Sequence, residues 1–237
     1  MLLTATDLSK SFGGVVAVSN VDINIDYGEI LGLVGGNGAG KTTLFNLLSG
    51  YTPLDSGKII LYQNNKQIDI SKKNSYKLCR LKISRTFQNI KLFDSLTVYQ
   101  NVLAAKTACR FDSPDIGDIL SEFSLYKKAD FYPSSLSYGE KRKLELVRAI
   151  CTGAKLLFLD ELVAGLSSFE AEEIARKLIA LRNQLSLTIV LIEHNMDFIK
   201  YTCNRLYVLN HGKVIAQGHP FNVLTDKKVA SVLLGDG

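Results

Sequence analysis

The sequence predicts an α/β fold in which helices cover a mainly parallel core sheet. Two observations support this prediction. Residues 156–159 form a continuous apolar run, which is typical of a strand buried on both faces of a parallel sheet, and residues 187–192 have the pattern of another buried strand. After residue 150 such runs alternate with amphipathic segments such as 169–184, as in sheets whose parallel strands are joined by helices.

The size of the chain favours a single domain over residues 1–237. With 237 residues, 46% of them hydrophobic, the chain can form one large domain or one domain with an added lobe. No apolar run approaches the roughly 18 residues needed to cross a bilayer, and we expect neither a spanning segment nor a secretory signal. The four widely spaced cysteines favour reduced, buried thiols in a cytosolic protein.

The N-terminal segment predicts two strands, over 2–8 and 21–26, and the second alternates strictly as a half-buried strand does. Between them, Phe12 is expected in a glycine-containing loop where its ring is partly exposed. Such a ring can stack on a purine base or turn into the core, and the spacing alone favours the core.

The segment that follows carries the most specific motif of the chain. Gly35, Gly40, Lys41 and Thr42 fit the pattern G-x-x-x-x-G-K-[ST], with an apolar strand before it and a helix after it. Glycines let backbone N–H groups turn inward to form an anion site, and the helix N-terminus adds partial positive charge. Lys41 can reach the β- and γ-phosphates, and the Thr42 hydroxyl can ligate Mg²⁺. The strand–loop–helix context disfavours the alternative, a glycine-rich turn with an incidental lysine. The predicted phosphate-binding residues are Gly35, Gly36, Asn37, Gly38, Ala39, Gly40, Lys41, Thr42 and Thr43.

The middle of the chain predicts a small antiparallel sheet and an inserted helical subdomain. After the turn at 53–57, residues 58–62 and 67–70 have the pattern of short strands, and a further strand is expected over 83–88. The helical subdomain is expected over about 89–150, with helices at 97–108, 115–123 and 141–150.

A basic stretch precedes this subdomain. Seven basic residues and one acidic residue, Asp69, lie between Lys66 and Arg85. A solvated face is the favoured interpretation, and a surface for anionic lipid headgroups is the second.

A short polar motif opens the helix at 141–150. Ser137 has the position of a helix N-cap, and Glu140 has the position of its capping-box partner. A capped helix start is also an anion site, so a structural role and a ligand-binding role are compatible here.

Two carboxylates, Asp160 and Glu161, follow the buried strand at 156–159. In open α/β sheets this carboxyl end of a strand is where ligands bind. Asp160 can hold Mg²⁺ through water, and Glu161 can polarise a water molecule or accept its proton. The phosphate loop upstream favours this function over a merely solvated strand end. His194 ends the next buried strand, so it points at the same pocket or is purely structural.

The C-terminal part predicts two strands, 205–209 and 213–217, around a turn, and then one helix over 222–234.

Together the motifs resemble those of the ATPase subunits of ABC transporters, and the resemblance covers the whole chain in the same motif order. Residues 35–43 resemble Walker A, 136–140 the ABC signature and 156–161 Walker B. The resemblance implies a P-loop NTPase fold with a mainly parallel core sheet, a small antiparallel β subdomain and a short helical signature subdomain.

The resemblance also implies roles for single residues. Gln88 is similar to the Q-loop glutamine, His194 to the switch histidine and Glu161 to the catalytic glutamate. Phe12 has the position of the aromatic residue that stacks on the nucleotide base in this family. The resemblance therefore favours base stacking over a core position for Phe12. The implied catalytic residues are Glu161, His194 and Gln88; the implied Mg²⁺ ligands are Thr42, Gln88 and Asp160; and the further ATP contacts are Phe12, Ser137, Tyr138, Gly139 and Glu140.

Within the family the chain looks most like the branch for uptake of branched-chain and other hydrophobic amino acids, through segments 85–90, 136–140, 192–196 and 229–235. It departs from the usual pattern at four positions. Gly36 stands where proline, glutamate or serine is usual, and Glu140 replaces the commoner glutamine. Leu162 replaces the usual proline, and Ser167 replaces aspartate or asparagine. Since Glu161 and His194 remain, these departures put partner identity and coupling in question rather than turnover.

The resemblance finally implies partners and a location. ATP and Mg²⁺ are the expected cofactors, and a second ABC ATPase subunit, identical or paralogous, is expected to form an ATP-sandwich dimer. Integral-membrane permease subunits and an extracytoplasmic solute-binding protein are the other expected partners, and no nucleic acid is expected. The subunit is expected at the cytoplasmic face of the inner membrane, energising uptake of branched-chain or other amino acids. Two alternatives stay open: a soluble ABC ATPase of non-transport function, and a non-hydrolysing ATP-gated dimerisation module.

Overall fold

A computed structural model describes residues 1–109 and 111–234, and the strands in this part of the chain form two sheets. The strands are β1 (Leu3–Phe12), β2 (Val15–Ile25), β3 (Ile30–Gly35), β4 (Ser56–Gln63), β5 (Lys66–Asp69), β6 (Ile83–Arg85), β7 (Leu156–Asp160), β8 (Thr188–Ile192), β9 (Arg205–Asn210) and β10 (Lys213–Gly218).

The larger sheet has the strand order β10-β9-β3-β8-β7-β6, and all its neighbours are parallel except β9 and β10. Every residue of β3, β7 and β8 is buried, because both faces of the sheet are covered. The mainly parallel core sheet that the sequence predicted is therefore confirmed.

The smaller sheet is antiparallel, with the order β2-β1-β4-β5. The sequence predicted β4 and β5 here, but it missed that the two N-terminal strands complete the same sheet. Those strands are also longer than predicted, because Gly13 and Gly14 both have positive φ and form a tight turn between Phe12 and Val15. The expectation of Phe12 in a loop is thus wrong. Phe12 ends β1, with 51% of its surface exposed.

The described helices are α1 (Lys41–Leu48), α2 (Ser75–Cys79), α3 (Val98–Cys109), α4 (Ile116–Glu122), α5 (Tyr138–Cys151), α6 (Ser168–Leu185), α7 (Met196–Thr202), α8 (Pro220–Leu224) and α9 (Lys227–Leu234). The short α2 was not predicted, and α5 begins earlier than predicted. The single predicted C-terminal helix is wrong: the Asp226 carboxylate accepts the N–H of Lys228 and starts a second helix there. Residue 235 of the branch-specific tail lies outside the described residues.

Two hydrophobic clusters lie on opposite faces of the larger sheet, as the alternation along β3 illustrates. Ile30 and Val34 belong to a cluster with the inner sides of α3 to α7, whereas Leu31 and Leu33 belong to a cluster with α1 and the smaller sheet. The helices α3, α4 and α5 occupy the range predicted for the inserted subdomain, and their buried residues join the first cluster. The molecule thus stacks helices, parallel sheet and antiparallel sheet in layers.

None of the helices described in residues 1–109 and 111–234 combines the length and the hydrophobicity that a bilayer crossing requires. All four cysteines are free, and burial is confirmed for Cys151 and Cys203, whereas Cys79 and Cys109 are half-buried.

The Phe158 ring gives a direct test of the packing behind the phosphate loop. It is fully buried in β7, and it meets the Phe45 ring of α1 edge-on at a centroid distance of 5.3 Å. We expect Phe158→Ala to lower the free energy of unfolding by about 3–5 kcal/mol, because it leaves a cavity between sheet and helix. Urea unfolding followed by circular dichroism would measure this. The control is Phe169→Ala, at a ring that is 72% exposed, which should change stability by about 0.5 kcal/mol or less; equal losses would contradict the packing described.

Candidate functional site

The glycine loop between β3 and α1 has a backbone that other residues adopt only with strain. Gly38 has φ 73° and Gly40 has φ 98°. A Cβ on Gly40 would also lie 2.4 Å from the carbonyl oxygen of Ala17, so both conformation and space require glycine there. The loop consequently wraps tightly around the start of α1.

The buried Lys41 side chain closes this loop. Its amine donates hydrogen bonds to the carbonyl oxygens of Gly35 and Gly36, at 2.9 and 2.8 Å. Burial lowers the pKa of Lys41, and the Glu161 carboxylate opposes that shift. The first turn of α1 carries neither an acidic residue nor a side-chain cap, so its positive end is not neutralised. These features suit a bound anion such as a phosphate group.

Asp160 is a buried carboxylate at the carboxyl end of β7, as predicted. Burial raises its pKa, and the guanidinium of Arg85, with Nη2 3.7 Å from Oδ2, opposes that shift. Arg85 is a residue that sequence reasoning missed. Its guanidinium carbon lies 5.2, 4.8 and 4.7 Å from the ring centres of Phe45, Tyr51 and Phe87. This aromatic surrounding fixes the cation beside Asp160.

The residues predicted as Mg²⁺ ligands do not form a cage by themselves. No group of three or more His, Cys, Asp or Glu side chains with metal-site geometry occurs in the part of the chain that the structure describes. Thr42 and Asp160 offer hard oxygen atoms, and Mg²⁺ is commonly held by one or two protein ligands together with substrate phosphates. The donor set therefore fits an ion that binds with a nucleotide.

The three residues predicted as catalytic meet at one point. The Glu161 carboxylate accepts a hydrogen bond from the Gln88 amide at 3.0 Å, and its other oxygen lies 3.3 Å from Nε2 of His194. Gln88 does not end a strand as predicted, since β6 stops at Arg85; it lies in the exposed bend beyond, from which its amide can reach Glu161. Glu161 has φ 48°, a left-handed conformation that costs a non-glycine residue roughly 1–3 kcal/mol.

Glu193 is a second residue that sequence reasoning missed. It is 3% exposed, and its carboxylate accepts the N–H of Val163 at 2.8 Å. Burial raises the pKa of Glu193 to about 7. The side chain thereby fastens the segment after Glu161 to the segment that carries His194.

The capping box at the start of α5 is confirmed. Ser137 Oγ accepts the N–H of Glu140 at 3.2 Å, and the Glu140 carboxylate accepts the N–H of Ser137 at 3.0 Å. The Lys128 amine lies 2.5 Å from the other oxygen of Glu140. Tyr138 is half exposed, and Gly139 packs so closely on α6 that a Cβ would lie 2.9 Å from an oxygen of Glu170.

Arg142 joins this helix start to the segment around Gln88. It is buried, and it donates to the carbonyl oxygens of Gln88 at 2.6 Å and Phe87 at 3.2 Å. It also donates to the Tyr138 hydroxyl at 3.0 Å, while Glu145 accepts the N–H of Phe87 at 3.3 Å. The pattern gave no signal for this role, because the partners are more than fifty residues apart in the chain.

The structure does not bring all predicted site residues together. Among residues 1–109 and 111–234, no hydrogen bond joins 137–140 to 35–43, and Phe12 lies at the tip of a separate hairpin. Inside one chain, the glycine loop and the Glu161 carboxylate thus form one group, and residues 137–140 form another.

All four departures from the family pattern have structural explanations, and that of Glu140 is its capping box with Ser137 and its salt bridge with Lys128. A Cβ at Gly36 would lie 3.3 Å from the carbonyl oxygen of Val232, so glycine admits the close approach of α9. Leu162 is buried in the core, and Ser167 caps α6 through a capping box with Glu170.

Comparisons with known proteins agree with this geometry. A family model described as "ABC transporter" matches residues 18–164. The branched-chain amino acid transport ATP-binding protein LivG of Escherichia coli K12 is 34% identical over 99% of this chain and 98% of its own. The lipopolysaccharide export ATP-binding protein LptB of Haemophilus influenzae is 33% identical over 99% and 98%. The solved ADP conformation of MJ1267, an ATP-binding cassette of an ABC transporter, superposes with a TM-score of 0.87 at 30% identity over 99% and 98%.

The pKa of Glu193 makes stability depend on pH. The folded carboxyl titrates near 7, whereas the unfolded one titrates near 4.5, so the folded state binds more protons between these values. The contribution of Glu193 to the free energy of unfolding therefore falls by on the order of 3 kcal/mol as the pH rises from about 4.5 to 7. Above pH 7 this contribution no longer changes. Glu193→Gln cannot lose a proton, and its amide oxygen still accepts from Val163.

Urea unfolding of both proteins between pH 4.5 and 8 measures this difference. We expect the wild type to lose stability relative to Glu193→Gln across the interval. Glu122→Gln, at an exposed position of α4, is the control and should run parallel to the wild type. Parallel curves for Glu193→Gln and the wild type would contradict a buried carboxyl that titrates near neutrality.

Proposed function

The chain belongs to the ABC transporter family as an ATP-binding subunit that hydrolyses ATP to energise transport, and we propose that it serves an importer of branched-chain or other amino acids. The full-length similarity to LivG supports this solute class, as do the branch-specific segments at 85–90 and 192–196. The similar identity to LptB favours a second candidate, a subunit of an export system.

One observation carries the proposed chemistry: the Glu161 carboxylate lies between the Gln88 amide and the His194 imidazole. In our proposal Glu161 accepts the proton of the water that attacks the γ-phosphate. Gln88 and His194 hold this carboxylate and the water in line, which is the positional contribution to the rate. The left-handed backbone of Glu161 aims its side chain toward both partners.

The glycine loop and Lys41 would bind the phosphates in this scheme. The amine that donates to the carbonyls of Gly35 and Gly36 is close enough to the start of α1 to contact β- and γ-phosphate oxygens instead. Thr42, Asp160 and Gln88 would hold Mg²⁺, which neutralises phosphate charge when bound. Phe12, exposed at the tip of its hairpin, would stack on the purine base.

We also infer that the signature residues act on a partner's nucleotide. In the described part of the chain no hydrogen bond or salt bridge joins them to the phosphate loop or to Glu161, yet the capped start of α5 presents an exposed Ser137 and a half-exposed Tyr138. A second subunit, identical or paralogous, could bring Ser137, Tyr138, Gly139 and Glu140 against ATP bound to residues 35–43. Two ATP molecules would then hold two subunits together.

The other proposed partners lie at the membrane. Permease subunits would dock on residues 89–93, and a solute-binding protein outside the cell would deliver the solute. Phe93 supports this docking site because its side chain is 50% exposed. Arg148 of α5 holds the segment in place: its guanidinium lies 4.9 Å from the centre of the Phe93 ring and donates to the carbonyl of Lys91. The subunit would thus be peripheral at the cytoplasmic face of the membrane, and nothing in the site calls for nucleic acid.

Glu161→Gln tests the assignment of the base. The amide cannot take a proton from water, so steady-state phosphate release should fall by about 10²–10⁴ while ATP affinity is retained. Size-exclusion chromatography with ATP and Mg²⁺ should show the variant as a stable dimer. Glu122→Gln is the control and should hydrolyse ATP as the wild type does. Turnover near the wild-type rate in Glu161→Gln would refute the assignment.

Phe93→Ala tests the docking site without adding a charge beside Arg148. Loss of an exposed aromatic anchor should weaken binding to the permease by about 2 kcal/mol or more, roughly thirtyfold, while isolated ATPase activity is unchanged. Co-purification with the co-expressed permease measures this. Phe221→Ala, at a ring of α8 that is 70% exposed, is the matched control. Equal recovery of permease with both variants would place the membrane contact elsewhere.

A further inference from the structure

Four cations between β5 and β6, at the start and along α2, form a surface that we name the basic face. Its members are Lys72, Lys73, Lys77 and Arg80; the three lysines line one depression, and Arg80 is the C-cap of α2. In the part of the chain that the structure describes, none of the four forms a salt bridge, unlike cations such as Lys10, Lys128 and Lys143. The acidic residue nearby, Asp69, accepts two hydrogen bonds from Ser71, at 2.6 and 2.9 Å, and lies 4.0 Å from Lys58.

The short helix α2 presents these charges together with an aromatic ring. In α2 only Leu78 is buried, whereas Tyr76 is 66% exposed. The Arg80 guanidinium lies 4.8 Å from the centre of the Tyr76 ring and donates to its hydroxyl at 2.6 Å. Exposed aromatic rings beside basic side chains are typical of protein surfaces at the level of lipid headgroups.

The lysines of the basic face also border a concave surface. An open depression of about 580 Å³ is lined by four lysines and one carboxylate, with the remaining lining from Gly57 and Ser71; the charged residues are Lys58, Asp69, Lys72, Lys73 and Lys77. Because the Asp69 carboxylate already accepts from Ser71, the excess of ammonium groups favours an anionic group such as a phosphate.

A series of contacts connects the basic face to the segment that is proposed to dock the permease. A Cβ on Gly50 would lie 2.6 Å from the carbonyl oxygen of Lys73, so the segment before α2 packs directly on Gly50. The neighbouring Tyr51 ring meets the Phe87 ring edge-on at 5.9 Å, and the Lys91 amine lies 4.2 Å from the centre of Phe87. The basic face is therefore continuous with residues 89–93.

We propose that the basic face binds the headgroups of anionic phospholipids around the permease. The orientation of this face toward the membrane rests on the proposed docking of residues 89–93, whereas its affinity for anionic lipid does not. Cations near an anionic membrane are attracted within about one Debye length, roughly 8 Å at physiological ionic strength. The four cations of the basic face would thus hold the subunit against the bilayer and orient its docking segment.

Nucleic acid is the competing occupant of such a surface, and the aromatic rings argue against it. Single-stranded binding uses open ring faces on which bases stack. The two exposed rings next to the basic face, Tyr76 and Tyr51, each have one face covered by a guanidinium, of Arg80 and Arg85 respectively, so each leaves one face for stacking. Half-covered rings are weaker stacking platforms than open ones, whereas the lysines attract lipid headgroups without any ring, and this favours lipid.

The test is sedimentation of the full chain with lipid vesicles. One set of vesicles contains phosphatidylcholine alone, and the other contains phosphatidylcholine mixed with phosphatidylglycerol. We expect binding to the anionic vesicles only, weakening as salt is added. The triple variant Lys72→Gln, Lys73→Gln, Lys77→Gln should bind them at least about tenfold more weakly. The control removes the same charge elsewhere, through Lys213→Gln, Lys227→Gln and Lys228→Gln on β10 and α9, and should bind as the wild type does.

Each other outcome would overturn the proposal. One such outcome is that the wild type fails to bind anionic vesicles, or that it binds neutral vesicles equally well. Another is that the two triple variants lose equal amounts of vesicle binding. The last is that the chain binds a single-stranded oligonucleotide through Lys72, Lys73 and Lys77 but binds no vesicles. ATP hydrolysis by the isolated triple variant should equal that of the wild type, which separates a loss of lipid binding from unfolding. Because the vesicles contain no permease, failure here leaves the docking on residues 89–93 to be decided by Phe93→Ala.

Discussion

In the larger sheet, Ile192 is paired with Leu33 on one side and with Asp160 on the other. This parallel register fixes where three strands end. The glycine loop leaves β3, Glu161 leaves β7 and His194 follows β8, all at one edge of the sheet. A slip of one residue between β7 and β8 would turn alternate side chains to the opposite face and separate Glu161 from His194, and a slip between β3 and β8 would move the glycine loop away from both. The chemistry of the site therefore depends on the pairing of buried apolar strands.

Buried charges then complete what the strands position. Asp160 is next to Arg85, Glu145 is next to Arg142, and Glu193 accepts a backbone N–H instead of meeting a cation. A buried ion pair contributes little net stability, because desolvation offsets the attraction, but removing one partner is costly. These pairs thus fix geometry more than they stabilise the fold. The difference explains the high pKa of Glu193, which is buried and forms no salt bridge with a cation among residues 1–109 and 111–234.

The sequence predicted those parts of the site that consist of consecutive residues. The glycine loop, the capping box at Ser137 and the carboxylates after β7 each lie in a motif of a few residues, and the structure has the predicted elements there. Arg85, Arg142 and Glu193 were missed because their partners are distant in the chain. The end of β6 was misplaced for a similar reason: alternation continues past Arg85, but the pairing with β7 stops at Arg85 and Phe158 although β7 continues to Asp160.

Gln88 is the residue where the two groups of the site meet. Its side-chain amide donates to Glu161, and its backbone carbonyl accepts from Arg142, whose guanidinium also holds the Tyr138 hydroxyl beside Ser137. Rotation of the Gln88 side chain breaks only the first contact, whereas a shift of the Gln88 backbone disturbs both. Because Arg142 is buried, such a shift strains a charge-assisted hydrogen bond unless the start of α5 moves with it. A backbone movement at Gln88 thereby links the hydrogen bonding of Glu161 to the position of α5 within a single chain.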